Sequence, residues 1–204
     1  MKYTNWLLAT LLVGGLGTAV AGIASATQEE QKPKFNPFQI HQKIVKSKEG
    51  LLKYKKESEN TLKKLQNEIS QQEEVFVTIT LAKPINEGQL TKLVNNYKLN
   101  VQHTLIRSIE KDTKLRGTLL MSPSEKGLFD KTALDRIMTQ NDATFKGFIE
   151  IVATVPNANL QGLASDQLVF LVDSSGDEHF VFNPKKKYVP GVFWDLEDTN
   201  MISE

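Results

Sequence analysis

The chain has 204 residues, 25 Lys+Arg against 24 Asp+Glu, 40% hydrophobic residues and no cysteine. That length suits one compact domain with extensions, the apolar fraction is too high for a wholly disordered protein, and the balanced charge argues against an electrostatic nucleic-acid binder. Without a thiol there can be no disulfide, thiolate metal site or cysteine nucleophile, although this leaves the compartment open.

Residues 6–26 carry no charge and follow a single basic residue, Lys2. Two readings stay open for 1–26. The short basic start, the apolar centre Trp6 to Val13 and the small-x-small pattern Ala24-Ser25-Ala26 fit a signal peptide cleaved near Ala26. The length fits a membrane anchor, because roughly 20 apolar residues span a hydrocarbon core of about 30 Å, although four glycines dilute the segment. Lys2 before it and Glu29 and Glu30 after it orient both readings alike, with the N-terminus in the cytoplasm and the remainder outside. The chain is therefore expected to be extracytoplasmic, either secreted or single-pass anchored with membrane contact through 6–26.

Residues 27–37, interrupted by Pro33 and Pro37, read as a linker. From 38 to 74 there is no proline and dense Lys, Glu, Gln and Leu, which predicts a long charged helix of about 55 Å. Ile40, Ile44, Leu51, Leu52, Leu62, Leu65 and Ile69 give it an incomplete apolar stripe, and Lys55 and Ser58 interrupt any coiled-coil seam. It can stand as a stalk or fold back on the domain.

At Glu74 the period becomes two: Val75, Val77, Ile79 and Leu81 share one face of a strand that Pro84 should end. Leu90, Leu93, Val94 and Tyr97 then predict a helix over 86–97. Val101, Leu105 and Ile109 line one face of a second strand. A polar insertion over 110–143 holds a strand, Gly117 to Met121, and a helix around Asp130 to Gln140 with Leu134, Ile137 and Met138 on its apolar face. Phe145 to Val155 alternates again, Asn157 is a candidate N-cap for a short helix bearing Leu160 and Leu163, and Leu168 to Val172 is a continuous apolar run expected of a central strand. Ser174-Ser175-Gly176-Asp177 is turn chemistry, with His179 to Phe182 as the returning hairpin strand. The expected fold of 75–182 is α+β and ferredoxin-like, β-α-β, an insertion, then β-α-β, in an antiparallel sheet with a C-terminal hairpin strand, preceded by the long N-terminal helix.

Nothing in the sequence nominates a catalytic, cofactor or metal set. His41, His103 and His179 lack paired spacing, and there is no Gly-x-Ser-x-Gly, His-Glu-x-x-His or phosphate-cradling glycine loop. Asp173, Ser175 and Asp177 alternate as calcium ligands can, but a turn accounts for them and the glycine is misplaced for an EF-hand. Glu110 and Asp112 read as solvated loop carboxylates. Arg107 shares the strand parity of Leu105 and Ile109, so it either snorkels at the sheet edge or pairs with an acid such as Glu150. The tail 183–204 runs from a Lys185-Lys186-Lys187 triplet into an aromatic and acidic stretch, and Tyr188, Phe193, Trp194 and Leu196 are its candidate partner-binding residues. They are too apolar to stay in water and must bury against this domain or another protein.

Gly147-Phe148, the alternating strand, Leu160 and Leu163, Ala164-Ser165-Asp166 and the run Leu168 to Asp173 together resemble the closing half of the subtilisin-type protease prosegment and inhibitor family. The likeness covers about 27 residues and departs from the family in its insertion, its continuation past the last strand and the absence of a following protease domain. It implies a ferredoxin-like fold, and it implies that the chain after the last strand would lie in a protease cleft. The sequence thus points to an exported, non-enzymatic envelope protein whose domain binds another envelope or secreted protein. It would act as a prosegment-like inhibitor or as an assembly scaffold, with no nucleic acid and no cofactor. The competing reading is an extracytoplasmic ligand sensor or enzyme, which would need Arg107, His103 and a carboxylate converging in one cleft.

Overall fold

The computed structural model describes residues 47–125, 127–180 and 191–202. The linker, the start of the charged segment, His41, Tyr188 and the apolar segment 6–26 lie outside the described residues. Among the described residues no helix is long and apolar enough to cross a membrane.

Helix α1 runs Lys48–Glu68, with the Ser47 side chain accepting from the Gly50 N–H at 3.0 Å as its N-cap. It ends at Ile69, before the change of period at Glu74. Strand β1 (Glu74–Ile85), helix α2 (Glu87–Tyr97) and strand β2 (Asn100–Glu110) come next. Asn86 and Gln89 close a reciprocal capping box at the start of α2. The insertion contributes strand β3 (Arg116–Met121) and helix α3 (Lys131–Gln140), and β4 (Ala143–Pro156), α4 (Asn157–Ala164), β5 (Val169–Asp173) and α5 (Phe193–Asp198) complete the chain. The five strands form one antiparallel sheet in the order β3-β2-β4-β1-β5, so the protein is α+β.

The sheet is covered on both sides. On one face Val75, Val77, Ile79 and Leu81 of β1 and Ile151, Ala153 and Val155 of β4 meet Leu90 and Leu93 of α2, Leu160 and Leu163 of α4 and Leu134 of α3. On the other, Phe76, Leu105, Val152 and Leu171 meet Leu51 and Tyr54 of α1 and Phe193 and Leu196 of α5. Helix α1 serves both cores, because Leu62 and Leu65 in its second half join the first. Its main neighbour is β5. It is therefore folded back along the β5 edge rather than standing off as a stalk.

Several local expectations change. Strand β1 continues through Pro84 to Ile85; its pairing with β5 stops at Leu81, so the missing proline N–H costs no bond to that strand. Val101 and Leu105 do not share a face: an extra residue between Val101 and His103 forms a bulge and inverts the parity, so Val101 packs with the first core and Leu105 with the second. Ile149 is shifted by a similar irregularity and joins the second core. Strand β5 ends the sheet order instead of lying at its centre, and its apolar run reflects cover by helices on both faces. Asn157 is the first residue of α4, not its N-cap; its Nδ2 lies 3.2 Å from the carbonyls of Gln66, Ile69 and Ser70 and closes the end of α1. His179 and Phe180 lie in a turn rather than a hairpin strand, and 181–182 are outside the described residues.

Gly147 has φ +140°, and a Cβ there would meet the Ile85 carbonyl oxygen at 2.8 Å. Gly147→Ala should therefore destabilise the domain by about 1–3 kcal/mol, read as a lower urea midpoint at unchanged slope.

Candidate functional site

The residues singled out in the tail and on β2 meet on the second face of the sheet. Arg107 is 2% exposed, and every part of its guanidinium is engaged. Its Nε donates to Glu197 at 2.9 Å, one terminal nitrogen donates to the other Glu197 oxygen, and the second bonds the Gly117 carbonyl at 2.9 Å and Thr118 Oγ1 at 2.8 Å. The Trp194 ring lies 4.1 Å from its central carbon and also receives Arg116 at 5.0 Å. Arg116 reaches Glu197 and Asp198, and Trp194 Nε1 donates to Thr118 Oγ1 at 3.0 Å. Arg107 thus neither snorkels nor pairs with Glu150; its acid is supplied from 90 residues away by the tail.

Glu150 holds the other end of this arrangement. It is 2% exposed on β4, and its two carboxylate oxygens accept the Phe193 and Gly191 N–H groups, each at 3.2 Å. Thr80 Oγ1 accepts the Val192 N–H at 3.1 Å. Three backbone donors at the approach to α5 are therefore satisfied by side chains from β1 and β4. Gly191 is required by close approach, since a Cβ there would overlap the Glu150 carboxyl. Burial raises the Glu150 pKa, opposed by the two backbone hydrogen bonds and by the Arg107 charge.

Phe193 and Leu196 are buried at 0% and 1% exposure, so the chain itself occupies these two candidate partner-binding residues. Trp194 remains 38% exposed, and Tyr188 lies outside the described residues. His103 is not part of the group: its Nδ1 faces Ser122 Oγ at 3.1 Å. Glu110, the last residue of β2, accepts from Thr113 in the turn that follows.

A second polar cluster was not foreseen from the sequence. His179 is 9% exposed, its Nδ1 meets Asp177 Oδ1, and its Nε2 lies 3.0 Å from Glu73. Asp177 also accepts the Phe76 N–H at 2.7 Å, which ties the turn after β5 to the start of β1. Asp173 accepts the Ser175 N–H at 2.8 Å and the Tyr54 hydroxyl, and Tyr54 is raised above its usual pKa by burial first and by Asp173 second. These contacts tie the turn to its neighbours and hold α1 on β5. Among the described residues no group of three or more His, Cys, Asp or Glu is placed to hold a metal ion. No family model matches the chain, and neither a curated protein nor a solved structure shows a significant match to it.

The buried charges set two expected outcomes. Glu197→Ala strands the Arg107 cation and should cost about 3–5 kcal/mol, with much of the loss recovered when Arg107 is also replaced by Met. For Glu150, a folded pKa above the unfolded one means that its contribution is greatest at low pH and is lost as pH rises through the folded value. The stability of the wild type relative to Glu150→Gln should therefore fall as pH increases from about 4.3, the ordinary glutamate value, measured by urea unfolding at each pH.

Proposed function

We propose that this chain is an exported, non-enzymatic envelope protein whose domain acts as an assembly or scaffold module by binding another protein. The observation that carries this reading is the distribution of exposed apolar side chains. Of the four large hydrophobic residues exposed among the described residues, Leu120 lies on β3, Trp194 bonds Thr118 of β3 and Leu115 directly precedes that strand, while Leu52 lies on α1. Exposed apolar side chains along one sheet edge are what a protein-binding surface presents. The uncharged segment 6–26 supports delivery outside the cytoplasm, by cleavage or by anchoring.

The fold within this reading is ferredoxin-like. Taking β3 and α3 as the insertion, the remaining order β2-β4-β1-β5, with α2 between β1 and β2 and α4 between β4 and β5, supports it. The inhibitor version draws less support than the scaffold version. A prosegment-like inhibitor would present the chain after its last strand to a protease, whereas Val192, Phe193 and Leu196 fill this domain's own second core. The enzyme or sensor reading needed Arg107, His103 and a carboxylate in one cleft, and Arg107 is instead taken up by Glu197 while His103 faces Ser122.

Cell fractionation followed by intact-mass measurement should find the protein in the envelope, starting at Thr27 if cleaved or full length if anchored. Recovery in the cytoplasm would overturn the export reading. A tagged full-length chain should capture its partner from the native envelope, and Leu120→Lys should reduce that capture at least about tenfold. Unchanged capture would remove β3 as the binding surface.

A further inference from the structure

Sheet edges are templates for pairing, and this sheet treats its two edges differently. The β5 edge is flanked by α1, fixed there by the Tyr54 to Asp173 hydrogen bond. Among the described residues β3 ends the sheet order, with β2 as its one paired strand. Its ladder runs without irregularity from Thr104↔Met121 to Ile109↔Arg116, and the strand contains neither proline nor lysine. Of the usual devices that blunt an open edge, β3 has its short length and the charge of Arg116, which Glu197 and Asp198 hold, but no proline, lysine or bulge, and it carries exposed leucine.

We propose that β3 pairs antiparallel with β3 of a second copy of this chain, about a two-fold axis through Thr118. This rests on the reading of the β3 edge as a binding surface and names its occupant. The Glu110 N–H bonds the Leu115 carbonyl at 3.0 Å, which sets the alternation along the hairpin. Leu115, Gly117, Leu119 and Met121 turn their backbone groups toward β2, and Thr118 and Leu120 turn theirs outward. Two outward-facing Thr118 residues meet in register only if the strands are antiparallel and symmetric, the isologous geometry of a two-fold dimer. The same register sets Leu120, 50% exposed, opposite Arg116 of the second copy, beside the Trp194 ring on which that arginine packs. It sets Leu115, 65% exposed, opposite Met121 of the second copy on the other face. One register thus uses the outward backbone groups and covers all three exposed residues with the chain's own surface. This self-complementarity is the reason to assign a second copy rather than an unrelated strand.

Sedimentation of the purified full-length chain over a concentration series should give twice the monomer mass, with Leu120→Lys weakening association at least about tenfold while its circular dichroism spectrum stays that of the folded chain. Because the chain has no cysteine, single substitutions report the register. Thr118→Cys should oxidise to a covalent dimer, since paired Cα atoms about 5.5 Å apart suit a disulfide. Leu120→Cys should not, its copies lying about 13 Å apart. A wild type that is monomeric throughout, a dimer indifferent to Leu120→Lys, or cross-linking at 120 as readily as at 118 would each overturn the proposal. A monomer whose envelope capture is still lost in Leu120→Lys rejects the second copy while leaving β3 a binding surface for another protein. A monomer with unchanged capture rejects both.

Discussion

The buried guanidinium of Arg107 is the constraint on which the second face of the sheet depends. A cation removed from water costs several kcal/mol unless its charge is met and its donors are used. Here the charge is met by Glu197 and the donors are used by Glu197, Gly117 and Thr118. The dependence runs both ways. Helix α5 has six residues, too few to be helical in water on its own, so its structure comes from the docking that Arg107, Glu150 and Thr80 specify. Helix α5 is thus a structural part of the domain: without it Phe76, Leu105, Val152 and Leu171 would lose part of the cover that they share with Leu51 and Tyr54 of α1.

Glu150 and Arg107 show how one buried acid and one buried base can lie near each other without pairing. Glu150 spends its oxygens on backbone N–H groups, which fixes where the chain enters α5, and Arg107 takes a carboxylate from the last turn of the same helix. Both ends of a short helix are thereby clamped by charges set on neighbouring strands. The aromatic pair between them divides its work: Phe193 fills the core, and Trp194 lies over the two arginines.

Much of this was legible in the sequence, for identifiable reasons. The strict alternation of Val75 to Leu81 and the 3.6-residue spacing of Leu90 to Tyr97 report burial of one face, and both elements form there. The short strand and helix inside the insertion are also where patterning put them. The oddity of Arg107 among apolar neighbours and of Phe193 and Leu196 in an acidic tail was visible, but not that each resolves the other, because nothing local encodes a contact 90 residues long. Bulges defeated the parity of Val101 and Leu105, since one inserted residue reverses every later assignment. The apolar run of β5 could not distinguish a central strand from an edge strand covered by helices. Asn157 reads as a cap from its own neighbours, yet it caps a different helix. His179 has one local partner, Asp177, which reads as turn chemistry, and its other partner, Glu73, lies far away in sequence.

The attachment of Asn157 to the end of α1 also has a mechanical meaning. Its amide bridges the carbonyls of Gln66, Ile69 and Ser70 to the junction of β4 and α4, while Ala158 and Asn157 donate their N–H groups to Gln71 and Glu73. A pull applied at Ser47 therefore meets two anchors along α1, the Tyr54 bond to Asp173 on the edge strand β5 and this knot at the far end, which leads to β4, the middle strand of the sheet. Load that reaches the knot is shared along the ladders of β4 with β1 and β2, across many backbone hydrogen bonds at once.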